Sequence, residues 1–393
     1  MEYILRSFHK AGVFGWLYAA SLFHGFHFFA VHYINSSYLE RYLTQSDVGL
    51  LVAISSALTV LMLATVGVFL AKFGNYKTAI VATALNLLAS LGLAFTGNIG
   101  WAFVFYALHT ILVPVTLFSF DIFLENNMKD ESQTGSTRGI FLSMALLAAL
   151  FSPVISGYLV GDDAVYEWAY LASALYLLPV LFIFIWRFRN FVDPAYQVLS
   201  FKHMFVAMWR NKDLYHVSAA QFLMRFFFSW YVVYLPIYLH QQVGFSWPEI
   251  GVILFVMLIP YVLIEYPAGK VADKYLGEKE LMAAGFITAG FSTMAVFFLD
   301  TTSIIAWSAV LMVTRVGTAL IESMTETYFF KQIDGDDTSI LSIFRMLRPL
   351  GYTVGPFVAG ALLIAMELEH LWIVLGVIML LGVVHPWKLN DTK

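Results

Sequence analysis

Charged residues set into apolar runs are the chemically informative part of this chain. Arg315, Glu322 and Glu326 follow at intervals of seven and four residues. That spacing places them on one face of a helix, with Glu322 about 10 Å along the axis from Arg315. Arg345 and Arg348 stand in the next apolar run and Arg225 in an earlier one. Charges in such surroundings are costly, so they pair or face a cavity. One reading is an ion-pair cluster, Glu322 and Glu326 with Arg345 and Arg348, closing one end of a helix bundle. The other is a binding site in which Arg315, or an arginine of the following run, holds an anionic group. Glu322 then carries a proton, because a guanidinium keeps a carboxylate ionised while desolvation favours its protonated form.

A second group is neutral. His24, His27 and His32 lie in the first apolar run, with His24 and His27 on one face, and His109 lies in the fourth. Imidazole titrates near neutrality and relays protons. His27 and His109 therefore join Glu322 as proton-coupling candidates, and His24 joins Arg315, Arg225, Arg345 and Arg348 as a substrate-binding candidate. Histidines at this spacing can bind a transition metal, but no nearby carboxylate completes a site, and no metal is expected. In RFFFSWYVVYLPIYLHQQ, Tyr231, Tyr234 and Tyr238 lie along one side. They stack on a bound ring or sugar, or they pack as interface aromatics. Pro236 in the same run is placed to break the helix and aid a gate. No nucleophile–base set and no phosphate-cradling loop is present. The expectation is a protein that is not an enzyme, needs no cofactor and binds no nucleic acid.

These residues must be held by membrane-spanning helices. Of the 393 residues 60% are hydrophobic and only 12% are charged, against the ~25% a soluble domain carries. Apolar runs of about 20 residues, each able to cross ~30 Å of hydrocarbon, recur at 12–34, 46–70, 76–96, 99–124, 137–160, 165–187, 213–241, 246–269, 278–299, 302–330, 338–364 and 368–386. Arg6 and Lys10 lead into the first without a small-residue cleavage site, so it reads as a span rather than a signal peptide. With twelve spans, seventeen of the 22 lysines and arginines fall on the side of the termini. Arg41 alone falls on the other, and Arg225, Arg315, Arg345 and Arg348 lie within spans. By the positive-inside rule both termini are cytoplasmic, in the cell (inner) membrane. Cysteine is absent, which excludes disulfides and thiolate chemistry.

The chain also repeats. EYPAGKVADKYLGEK (265–279) follows the second span of the second half, and GVFLAKFGNYK (67–77) follows the second span of the first. Asp47-Val48-Gly49 matches Glu249-Ile250-Gly251, and Ser152-Pro153 with Gly157 matches Gly355-Pro356 with Gly360. Asp121 and Glu125 match Glu322 and Glu326. Four matches in one order indicate duplication, and parallel membrane repeats of this kind belong to transporters. The expected organisation is a six-helix bundle over 1–187, a cytoplasmic linker with an amphipathic helix over 188–212, and a second six-helix bundle over 213–393.

With these motifs the sequence resembles the major facilitator superfamily over its whole length. The turn carrying Gly269, Asp273, Lys274, Gly277 and Lys279 is similar to the signature of that family, with one extra residue before Gly277. The first-half copy keeps Gly67, Lys72, Gly74 and Lys77 but has Ala71 where the family usually has Asp. The small-residue and proline pattern of the eleventh span resembles a motif associated with antiporters. The resemblance implies an all-α polytopic protein of twelve transmembrane helices in two pseudo-symmetric bundles, working by alternating access. It further implies an inner latch. Glu326 pairs with Lys274 or Lys279, Asp273 meets the N-terminus of the fifth span beside Arg138, and Asp121 and Glu125 belong to the same group. The expected function is secondary active transport of a small polar or anionic organic solute by a monomer, coupled to protons or another ion. A proton-coupled multidrug efflux antiporter is the alternative within transport, and a non-transporting receptor or scaffold the alternative outside it.

Overall fold

The computed structural model describes residues 12–128, 134–194, 196, 211–332 and 338–390, and all regular structure among them is helical. The long helices follow the apolar runs to within a few residues. They are α1 (Gly12–His32), α3 (Gln45–Phe73), α4 (Asn75–Phe95), α5 (Ile99–Asn127), α6 (Thr134–Val160), α7 (Glu167–Arg187), α8 (Lys212–Ile237), α9 (Trp247–Lys274), α10 (Glu278–Phe297), α11 (Ile304–Gln332), α12 (Thr338–Leu362) and α13 (His370–Gly382). The short helices α2 (Asn35–Glu40) and α14 (Val384–Trp387) were not expected. Among the described residues, ten helices are long and apolar enough to cross a membrane. The two long helices outside that ten are α1, with its three histidines, and α12, which carries Arg345 and Arg348.

Local chemistry sets the ends. Asn98 caps α5 by accepting from the Gly100 and Trp101 amides, and Asn211 caps α8 by accepting from those of Asp213 and Leu214. Glu249 reaches back to the Ser246 amide at 2.9 Å to open α9. Pro236 does not break its helix. The backbone runs on into a π-helical turn, Tyr238–Val243, and stops at Gly244 with φ 88°, a conformation that suits glycine. The expected amphipathic linker helix falls mostly on residues outside those described.

Two compact units form, Met1–Asn35 with Leu58–Val198, and Ser36–Ala57 with Leu199–Lys393. Packing thus places residues 36–57, from the first half of the sequence, with the second unit. In the first unit α1 packs on α6 and α7, and α4 on α5 and α7. In the second, α8 packs on α12 and α13, and α10 on α11 and α13. These are the same pairings at corresponding positions, as duplication requires. Close approach relies on small residues. A Cβ on Gly285 of α10 would stand 2.6 Å from the Gly317 carbonyl oxygen, and one on Gly317 of α11 would stand 2.6 Å from the Ala289 amide. Gly285→Val should therefore lower the unfolding midpoint in detergent, at a cost of about 1–3 kcal/mol. Gly139→Ala, where an added Cβ meets nothing within 4 Å, should not.

Candidate functional site

The polar groups of the second unit centre on one ion pair. Arg225 of α8 donates from Nη2 to Glu322 Oε1 of α11 at 2.7 Å, both side chains being largely buried. Glu326 Oε1, one turn further on, lies 3.9 Å from the same nitrogen and is half exposed. The Tyr261 hydroxyl of α9 donates to the other Glu322 oxygen. Arg225 Nε is buried without a hydrogen-bond partner. One reading of the sequence pairs Glu322 and Glu326 with Arg345 and Arg348. The arginine at 2.7 Å from Glu322 is instead Arg225, because α8 packs directly on α11 and brings Arg225 to it. Arg348 remains within Coulombic range of Glu322 and Arg225.

Arg315 shares the Phe228 ring with Arg225. It is 2% exposed, and its guanidinium carbon lies 4.6 Å from the Phe228 ring centroid, 5.7 Å from that of Tyr261 and 5.8 Å from that of Tyr231. Three aromatic faces around one guanidinium hold the charge by cation–π attraction. Tyr231 and Tyr234 are fully buried. The Tyr231 hydroxyl lies 3.2 Å from Thr293 Oγ1, and the Tyr234 hydroxyl donates to the Pro356 carbonyl at 3.3 Å.

The first unit holds the histidines in a neutral network. The Ser173 hydroxyl donates to the His27 carbonyl at 2.9 Å, so at 2.8 Å it accepts from His27 Nδ1–H. His27 Nε2 then accepts from Asn86 Nδ2 at 3.0 Å, and Asn86 Oδ1 accepts from His109 Nδ1–H at 3.0 Å. One amide therefore sets the tautomers of two imidazoles. His24 lies tilted against the rings of His27 and Phe120 at 5.7 and 5.5 Å, is 2% exposed, and has neither ring nitrogen in a hydrogen bond. Asn86 and Ser173 were not anticipated. The signal was a lone amide in an otherwise apolar span.

The expected latch residues lie near helix ends. Arg138 lies 3.8 Å from Asp121 and 3.4 Å from Glu125, joining the ends of α5 and α6. Lys279 Nζ lies 3.8 Å from Glu280 of its own helix, Lys274 is exposed, and the Asp273 side chain lies outside those described. The first turn, lacking an acid at Ala71, is completed from elsewhere. Asp193, beyond α7, accepts from the Asn75 amide at 2.6 Å and caps α4. The preceding residue, Gly74, has φ 77°, and a Cβ there would meet Asp193 Oδ2 at 2.3 Å. The Tyr196 hydroxyl donates to the same carboxylate. Burial, reinforced by that carboxylate, holds the Tyr196 phenol well above its ordinary pKa. In the second half Gly277, φ 105°, opens α10, and Glu278 in its first turn pairs with Lys331.

Two substitutions test these roles. Asp193→Ala should lower thermal stability by about 1 kcal/mol through loss of the cap, while Asp163→Ala on the exposed turn between α6 and α7 should be neutral. Asn86→Leu should cost more, about 1–3 kcal/mol for each imidazole nitrogen left unpaired. Melting curves of the purified variants check both.

Comparison with known proteins agrees with this architecture. The family model described as Major Facilitator Superfamily matches residues 17–248 and 217–392. The multidrug transporter protein MdtP of Bacillus subtilis (strain 168) is 22% identical over 301 residues, which are 75% of this chain and 52% of that protein. The chain thus spans about half the length of that curated relative. The crystal structure of a point mutant of the nucleoside transporter NupG superposes with a TM-score of 0.77 at 12% identity, covering 96% of this chain and 99% of the other. The chain is an integral, multi-pass membrane protein, and it belongs to the Major Facilitator Superfamily.

Proposed function

We propose that this secondary transporter carries a small anionic organic solute together with a proton, and that Arg225 and Glu322 couple the two. The observation that carries this reading is the buried Arg225 guanidinium, which has Glu322 as its close partner and an Nε without one. A solute carboxylate or phosphate competes with Glu322 for Arg225. Once displaced, Glu322 is a buried carboxylate without its counter-ion, and protonation is its cheapest outcome. Binding of the anion and uptake of the proton then favour each other, as linkage requires. Four arginines against two glutamates (Arg225, Arg315, Arg345, Arg348; Glu322, Glu326) bias the second unit toward anions. His24, buried with two unengaged nitrogens, is the counterpart of Arg225 in the repeat and the proposed contact from the first unit. His27 and His109 hold the proton-relay role in this reading. Arg138, Asp121, Glu125, Asp273, Lys274, Lys279 and Glu326 act as inner latch groups. The halves 1–187 and 213–393, joined by 188–212, move as a monomer with both termini cytoplasmic, in keeping with the 17-to-1 distribution of basic residues.

The second reading is proton-coupled efflux of amphipathic cations. It is favoured by the aromatic surroundings of Arg315, by the tie between Arg225 and a carboxylate, and by the name of the Bacillus relative.

A thermal-shift panel separates the two: succinate, lactate, citrate and glucose 6-phosphate against ethidium and tetraphenylphosphonium, at pH 5.5 and 8.0. A ligand at about 100 times its Kd stabilises by roughly 2.7 kcal/mol. Stabilisation by an anion, greater at pH 5.5, is expected in wild type and lost in Arg225→Gln. In Glu322→Gln the pH dependence should disappear while binding remains. Stabilisation by the cations alone, abolished in Glu322→Gln, replaces the anion reading with efflux.

A further inference from the structure

We propose that the end of the first unit where α1 begins and α7 stops is a binding site for the phosphate headgroup of an anionic phospholipid. It rests on the orientation given above, in which this end meets the cytoplasmic leaflet. A cavity of about 510 Å³ opens there, lined by Trp16, Asn127, Trp186, Arg187, Arg189 and Asn190 among others. That volume lies within the ~300–1,000 Å³ of small-molecule sites.

Three features select the ligand. The first is charge. Arg187 and Arg189 are exposed and, among the described residues, neither makes an ion pair. Arg187, in the last turn of α7, also offsets the negative end of the helix dipole. Arg189 lies past the helix and has no such task. Guanidinium forks match phosphate oxygens two at a time. The second is the depth in the membrane. The cavity sits at the end of an apolar 21-residue span and is walled by Trp16 and Trp186, edge to face at 5.5 Å. Tryptophan favours the headgroup level. The third is a path for acyl chains. Leu175, Leu178, Phe182, Ile185 and Trp186 are all exposed, and their three-to-four-residue spacing makes one stripe on α7 that ends at the cavity. Phe182 and Trp186 stack with ring centroids 6.1 Å apart. A soluble anion uses the arginines alone, whereas a phospholipid uses arginines, tryptophans and stripe together. Basic recesses of this kind on the cytoplasmic face recognise anionic headgroups.

The test uses full-length protein purified in a neutral detergent and titrated with dihexanoyl phosphatidylglycerol, dihexanoyl phosphatidylcholine or inorganic phosphate, with melting temperature as readout. The proposal expects saturable stabilisation by the phosphatidylglycerol only. Arg187→Gln with Arg189→Gln should remove most of that shift, with the lipid-free melting temperature lowered only by the small helix-dipole contribution of Arg187. Trp186→Ala should weaken the response to the lipid. Equal responses of wild type and the double variant overturn the site, and so does stabilisation by phosphate equal to that by the lipid, which makes it a soluble-anion site. Micelles have no sidedness, so this result is independent of the orientation. Orientation is read separately: Asn190→Cys, a unique thiol in a chain without cysteine, should react with an impermeant maleimide in inside-out vesicles and not in right-side-out ones.

Discussion

Arg225 and Glu322 face each other at 2.7 Å on two packed helices, and much of the second unit serves to make that pair tolerable. Removing a guanidinium and a carboxylate from water costs several kcal/mol each, and their attraction offsets this only when the remaining valences are also met. Tyr261 satisfies the second oxygen of Glu322, and Phe228 and Tyr261 lend ring faces to the neighbouring Arg315. These contacts require α8, α9 and α11 to approach one another closely. Removing either partner alone leaves a buried charge, at a cost of about 3–5 kcal/mol. In the coupling proposed above the pair serves as a switch, stable when closed and opened when another charge or a proton compensates the partner left behind.

The first unit solves the same architectural problem with neutral groups. Four of its helix pairings match those of the second unit, and its carboxylates Asp121 and Glu125 meet Arg138, yet its buried interior also carries His24, His27, His109, Asn86 and Ser173. Neutral hydrogen bonds lose little on burial when every donor finds an acceptor, and the chain from Ser173 through His27 and Asn86 to His109 meets that condition. Duplication thus preserved the helix packing while the two interiors diverged in electrostatics. The buried interior of the first unit holds coupled tautomers, and that of the second holds the Arg225–Glu322 ion pair.

Most of the architecture was legible in the sequence because lipid imposes a simple rule. A helix must satisfy its own backbone and cover about 30 Å with apolar side chains, so run length and basic-residue asymmetry suffice to draw the spans. The ion pairs were only partly legible. Spacing placed Arg315, Glu322 and Glu326 on one face, but which arginine reaches Glu322 depends on the approach of α8 to α11, which no local pattern encodes. Tyr261 could not be singled out from a chain with 21 tyrosines, because its role lies in a hydroxyl direction. Pro236 marked a departure from regular helix but not its form, since a π-turn and a break both relieve the missing amide. The Ala71 substitution pointed to a defect in the first signature turn. The compensating acid stands 118 positions from the amide it caps, beyond any local reading.

That distant cap bears on where the chain can be divided. Asp193 follows the last helix of the first unit, and with Tyr196 it closes over the Gly74 turn. In a gene split to express the two halves as separate polypeptides, a cut directly after Arg187 hands the α4 capping acid to the wrong fragment. A cut beyond Tyr196 leaves the first fragment with both Asp193 and Tyr196 for the turn between α3 and α4.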